Sequence, residues 1–172
     1  ESINIEHNEA SEWVSILEPH ALSVLGTDKI PQANDIKKII TILEYKQEGT
    51  FVTPALINVT SDRQVLYYTG ACYTLGLLTK NGFLTSQGRL LLSKEGDERY
   101  VVLADRFESC DFGWSWISWA KVNSMINLDP DSAFVFLRDV VPGLSEDTAK
   151  RRATTLIKWL EVLSPYHREY KE

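Results

Sequence analysis

The stretch that decides the fold runs from Thr53 to Ser93 and contains Gly76-Leu77-Leu78-Thr79-Lys80-Asn81-Gly82-Phe83-Leu84-Thr85-Ser86-Gln87-Gly88-Arg89. Thr53-Pro54 reads as a cap with proline in the first turn of a short helix to Val59, where the missing N–H is harmless. Ser61 or Asp62 can cap a second helix that runs to about Leu75 and stops at Gly76. In it Val65, Thr69, Cys72 and Leu75 fall close to one inward face, so Arg63, Gln64 and Tyr67 point away. Asn81-Gly82 signals a hairpin, because a type I′ turn needs positive φ at both central residues. Leu77 to Lys80 and Phe83 to Thr85 would be its strands, and residues 86–94 a further helix feeding Leu90, Leu91 and Leu92 to the core. Helix, turn, helix, hairpin, helix is the order of a winged helix-turn-helix with a small β-hairpin wing, in a mainly α chain.

Upstream, residues 9–25 read as helical through Trp13, Ile16, Leu17, Leu22 and Leu25, with a break or restart at Pro19. Asn34 or Asp35 can cap the next helix, where Ile36, Ile39, Ile40 and Leu43 recur at i, i+3, i+4 and i+7. Downstream, a helix is expected from about Glu98 to Ser109. The Trp114, Trp116, Trp119 spacing fits neither a clean strand nor a clean helix. Asp129-Pro130-Asp131 starts another helix carrying Phe134, Leu137 and Val141, and Pro142-Gly143 ends it. Ser145 caps a long last helix whose stripe is Ala149, Ala153, Leu156, Leu160 and Leu163, with Arg151, Thr155 and Lys158 opposite and Arg152 turned to the core edge or to a salt bridge. This pair repeats the theme as a second helix-turn-helix-like unit. The organisation expected is an N-terminal helical extension (1–33), a winged-helix domain (34–94) and a second helical unit packed on it (95–172).

The 172 residues, 44% hydrophobic and 24% charged, are ordinary for a globular protein with a real core. No apolar run is long enough to cross a bilayer, no signal peptide is evident, and a cytoplasmic protein without membrane partners is expected. The chain begins at Glu1, which reads as a piece of a longer polypeptide whose other domain would hold any catalytic function. Cys72 and Cys110 read as two reduced thiols, and with His7, His20 and His167 scattered no zinc site or other cofactor is expected.

The net charge of −6 opposes a simple nucleic-acid surface, yet its distribution weakens that objection. Residues 54–94 carry four Lys/Arg against one Asp/Glu, and residues 140–172 carry six against five. Arg63 and Gln64 are residue types that pair with guanine and adenine through two hydrogen bonds each. Lys80 on the wing, Arg89 after it, and Lys150, Arg151 and Lys158 on the last helix suit phosphates, with Tyr67 near the bases and Tyr68 in support. A solvated face, or a docking face for protein, accounts for the same residues. Trp114, Trp116, Trp119 and Trp159 are read as a core seam between subdomains in preference to base-stacking platforms. Glu44-Tyr45-Lys46 and Glu169-Tyr170-Lys171 match the Glu-x-Lys of metal-dependent nucleases, but neither follows a strand with an Asp-bearing partner. Gly-rich phosphate loops and Ser/His/Asp groupings are absent from the sequence.

Asp62-Arg63-Gln64-Val65-Leu66-Tyr67-Tyr68, running into Leu75-Gly76-Leu77-Leu78, resembles the winged-helix modules found beside nuclease or helicase parts in bacterial restriction and defence proteins. Leu144-Ser145-Glu146-Asp147-Thr148-Ala149-Lys150-Arg151-Arg152, running to Trp159-Leu160, resembles the closing helix of those modules. The resemblance implies a DNA-recognition or positioning role in a restriction-type protein, with a nuclease or helicase domain in the same polypeptide. The chain is therefore expected to be a non-catalytic module that binds double-stranded DNA. The alternative is a protein-interaction module that docks to a catalytic subunit or forms a homodimer.

Overall fold

The computed structural model describes residues 25–170. The helix expected over residues 9–25 therefore lies outside the described residues except for Leu25, as do His7, His20 and Lys171. Seven α-helices carry the described residues: α1 Ile36–Gln47, α2 Asp62–Thr74, α3 Ser86–Leu92, α4 Asp97–Ser109, α5 Asp111–Ala120, α6 Ala133–Val140 and α7 Glu146–Leu163. Short 3₁₀ turns at Thr27–Lys29, Pro54–Ile57, Met125–Asn127, Pro130–Ser132 and Ser164–Tyr166 join or end them.

The helices start where capping chemistry places them. Asp35 accepts from the Lys37 N–H at 3.0 Å, Ser61 from Gln64 at 3.3 Å, Thr85 from Gly88 at 3.1 Å and Ser145 from Thr148 at 3.3 Å. Each bond satisfies an N-terminal donor that has no partner inside its helix.

The expected β-hairpin wing is not formed. Among the described residues there is no strand, only one isolated antiparallel bridge between Leu78 and Leu84. Both arms are claimed by the helices they adjoin. After left-handed Gly76 (φ 72), the N–H groups of Leu77 and Leu78 turn back to the Cys72 carbonyl at 2.9 and 3.4 Å, closing the end of α2. On the other arm Thr85 is already the cap of α3. The turn differs as well: Gly82 has φ 82, whereas Asn81 is not in the left-handed region. Thr79 N–H donates to the Phe83 carbonyl at 2.7 Å, so three residues, Lys80 to Gly82, close the loop in place of two. The chain is thus all-helical over the described residues and not a winged helix-turn-helix.

The tryptophan-rich segment is helical. Phe112, Trp116 and Trp119 fall at i, i+4 and i+7 of α5, which turns Trp116 fully inward and leaves Trp114 60% exposed. Trp116 stacks on Phe136 of α6 at 5.9 Å between centroids, and Phe112 meets Trp159 of α7 at the same distance. Trp119 is half-buried, its indole N–H donated to Asp139 at 3.0 Å. α6 and α7 pack along each other across the turn at Pro142-Gly143. Buried side chains from Leu25 to Leu163 form one hydrophobic cluster that joins all seven helices.

Candidate nucleic-acid interface

What brings α2 and α7 together is the segment from Thr27 to Asp35, threaded between them. Its carbonyls leave the regular hydrogen-bond pattern and need donors from elsewhere. α7 supplies them from successive turns. Arg152 Nη1 donates to the carbonyls of Thr27 and Ile30, Thr155 Oγ1 to Asn34 Oδ1 at 2.7 Å, and Trp159 Nε1 to the Ala33 carbonyl at 2.7 Å. On the α2 side the Tyr68 hydroxyl accepts from the Asp35 N–H at 3.2 Å, and Lys29 lies over the Tyr73 ring.

This packing corrects two sequence readings. Thr155, expected on the exposed side of the last helix, is 1% exposed because Asn34 pairs with it. Tyr68, rather than Thr69, completes the inward face of α2 and lies inside the core edge as a supporting residue. Burial raises the Tyr68 pKa, the Asp35 N–H partly opposing it, so its hydroxyl stays neutral.

Between α2 and α7 lies a cleft made of two adjoining cavities. One, about 220 Å³, is lined by Gln32, Asn34, Tyr67, Arg151, Thr154 and Thr155. The other, about 170 Å³, shares Gln32 and Tyr67 and is bordered by Arg152, Gly70, Leu66 and Asp28. Tyr67 is the hub. Arg63 Nε donates to its hydroxyl at 2.6 Å, and the Arg63 guanidinium lies 5.5 Å from the ring centroid. Three guanidiniums, Arg63, Arg151 and Arg152, therefore border one aromatic side chain. Among the described residues none has a carboxylate within ion-pair distance.

Arg152 is the unusual member. It is 9% exposed, its Nε is buried without a partner, and among the described residues its hydrogen bonds go to neutral carbonyls through Nη1. Burial first, and neighbouring Arg151 second, pull its pKa below the ordinary arginine value, with Tyr67 and Asp28 opposing. An arginine holds its charge regardless, so a positive centre sits under the cleft without a counter-ion among the described residues.

The other expected site residues are placed as follows. Gln64 uses its amide oxygen locally, accepting from Thr60 N at 2.8 Å and Thr60 Oγ1 at 3.1 Å, so the acceptor needed for bidentate adenine contact is occupied. Lys80 is exposed at the tip of the turn, and Arg89 on α3 donates to the Leu84 carbonyl at 2.9 Å. Both stand on elements that pack chiefly against α1 and α4, apart from the α2–α7 cleft. Lys150 is paired with Glu146 at 2.6 Å in a well-exposed i,i+4 contact of small energetic value. Lys158 is exposed seven positions beyond Arg151, on the same helix face.

A third cavity, about 500 Å³, is separate from the cleft and gathers Glu108, Ser124 and His167, a grouping the scattered sequence positions gave no way to foresee. Its geometry is structural. Glu108 Oε2 and Ser124 Oγ both address His167 Nε2, at 3.0 and 3.4 Å, while Nδ1 accepts from the Glu169 N–H at 3.1 Å. A serine nucleophile and its orienting acid need opposite ring nitrogens, and here they share one. Glu108 also accepts from the Met125 N–H at 2.7 Å, so the group fastens the Met125 turn and the chain end to α4. Among the described residues no three His, Cys, Asp or Glu side chains gather as metal ligands. Cys72 and Cys110 are free and buried. No helix of the described residues is long and apolar enough to cross a membrane.

Comparison with protein-family models, curated proteins and solved structures finds no match to this chain.

Proposed function

We propose that the chain binds double-stranded DNA through the face on which α2 and α7 meet, chiefly by holding its phosphates. The observation that carries this reading is that Arg63 bonds Tyr67 while Arg151 and Arg152 line the cavities Tyr67 shares, with no carboxylate within ion-pair distance among the described residues, in a chain of net charge −6. Basic groups in an acidic protein are ordinarily neutralised by their neighbours. A cluster left unpaired favours an anionic ligand. Lys158 and, more distantly, Lys80 and Arg89 extend the positive surface. With the Gln64 oxygen engaged, base reading falls to Arg63 alone, so positioning outweighs sequence recognition. A place as the DNA-positioning part of a larger restriction or defence protein rests on the local sequence resemblance of residues 62–78 and 144–160 alone, since the wing of those modules is not formed here.

The test is an anisotropy titration with a random duplex at two salt concentrations. Affinity should fall steeply with salt, since each phosphate contact releases counter-ions. A salt-independent association would favour the second reading, a protein-docking module. That reading has its own support in the exposed Leu66, 69% accessible beside the cleft, and in Phe51 and Phe83.

A further inference from the structure

We propose that the smaller cavity, between Arg152 and Tyr67, is a specific seat for one dianionic phosphate, such as a phosphomonoester; this deepens the DNA reading and rests on it for the ligand's source. The argument begins with Arg152. Of its three nitrogens, Nη1 is committed to the Thr27 and Ile30 carbonyls and Nε is sealed without a partner. Among the described residues Nη2 makes no hydrogen bond, and it is not among the sealed atoms, which leaves it as the corner of the guanidinium for the cavity that Arg152 lines. A buried cation that has donors to spare and no carboxylate of its own is half of an ion pair.

The surroundings supply the remainder. Tyr67 offers a hydroxyl proton, because its oxygen already accepts from Arg63. Arg151 stands at the mouth of the adjoining cavity, with Thr148 at 3.3 Å as its hydrogen-bond partner among the described residues. Arg152 in the cavity and Arg151 at the mouth of the adjoining one make two positive charges, which suit a doubly charged oxyanion better than a singly charged carboxylate. A volume of about 170 Å³ accepts a compact group and is too small for a whole cofactor. Asp28 also faces the cavity and opposes an anion; it is exposed and makes no ion pair with Arg152.

Gly70 adds an independent observation. It sits in the interior of α2, where glycine weakens a helix, and an added Cβ would meet nothing within 4 Å. Packing does not require a glycine at this position, and its bare backbone keeps that wall of the cavity open.

The experiment uses the full chain and orthophosphate at constant ionic strength. It follows the arginine Nε–Hε resonances by NMR and the unfolding temperature, with chloride as the control. Phosphate should saturate a single site, shift the Arg152 resonance and raise the unfolding temperature. Arg151→Ala should weaken phosphate binding about tenfold, as loss of one charge-assisted bond does. Asp28→Asn should tighten it. Gly70→Leu should abolish it while leaving the fold at least as stable, since no charge is removed. The inference is overturned if phosphate acts no differently from chloride, or if Gly70→Leu and Asp28→Asn both bind phosphate like the parent chain. A duplex bearing 5′-phosphates is compared with the same duplex bearing 5′-hydroxyls. Tighter binding of the first places the phosphate at a DNA end. Duplex binding without any phosphate response sinks the cavity and spares the DNA reading, while a phosphate response without duplex binding does the reverse.

Discussion

Trp159 donates its indole N–H to the carbonyl of Ala33 at 2.7 Å, across 126 positions of sequence. Both partners are fully buried, so this bond fastens the Thr27–Asp35 segment to α7 where water cannot substitute for either group. Trp159→Phe keeps most of the ring but leaves the Ala33 carbonyl unsatisfied. It should cost about 1–3 kcal/mol in urea unfolding, and Trp159→Ala about 3–5 kcal/mol. A phenylalanine variant as stable as the parent would show that the carbonyl finds another donor.

Two glycines should respond in opposite directions. At the junction of α4 and α5 a Cβ on Gly113 would collide with the Phe107 carbonyl oxygen, a backbone atom with no room to yield. Gly113→Ala is expected to destabilise by about 3 kcal/mol, as overpacking does. Gly70→Ala in the open interior of α2 should stabilise by about 0.5–1 kcal/mol. Thermal unfolding of the two variants side by side decides the matter, and equal effects would refute the packing described at Phe107.

Arg63→Ala should weaken duplex binding by about 1–3 kcal/mol, because it removes a guanidinium and releases the Tyr67 hydroxyl. Lys80→Ala should weaken all sequences alike and lower the salt slope by about one. Gln64→Ala is expected to lower stability and leave DNA affinity nearly unchanged, since its oxygen serves Thr60. Unchanged affinity in both the Arg63 and Lys80 variants would remove the nucleic-acid reading.

Glu108 carries a pH dependence. Burial alone would raise its pKa, but the Met125 N–H, His167 and Ser124 together outweigh burial and hold it below the usual 4.5. A carboxylate depressed by folding contributes stability above its unfolded pKa and loses it as pH falls through the folded value. The parent chain should therefore lose stability below about pH 4.5 more steeply than Glu108→Gln, in which this step is absent. Denaturant midpoints between pH 3 and 7 report the difference, and parallel curves would count against the assignment.

Both thiols should be inert in the folded chain. Burial raises the pKa of Cys72 strongly, and pushes that of Cys110 up to about 12, so neither offers thiolate at neutral pH. Labelling with a thiol-specific disulfide reagent should track global unfolding, and rapid native labelling would contradict the burial of either residue.

Most helices could be read from local signals. Ser61, Ser145, Asp35 and Thr85 are small polar caps in front of periodic apolar runs, and a cap needs only its own first turn to act. The tryptophan helix was legible too, once Phe112 is counted with Trp116 and Trp119. The wing was not. Asn81-Gly82 is a genuine turn, but a ladder needs free N–H groups along both arms. Those of Leu77 and Leu78 are spent on the end of α2, and only single bonds, such as Thr85 N–H to the Leu77 carbonyl, cross between the arms.

The cleft stands at the other extreme. Residue order alone marked Arg63 and Tyr67 as outward-facing and left Arg152 between the core edge and a salt bridge, because helical periodicity assigns a face without reference to the rest of the chain. Nothing local could foretell that Arg152, Thr155 and Trp159 would each reach back more than 120 positions to the Thr27–Asn34 segment, or that this would set three guanidiniums around one tyrosine. Periodicity says which way a side chain leaves its own helix. Only the packed core determines what stands opposite it, and the unpaired charge of Arg152 is a property of that meeting.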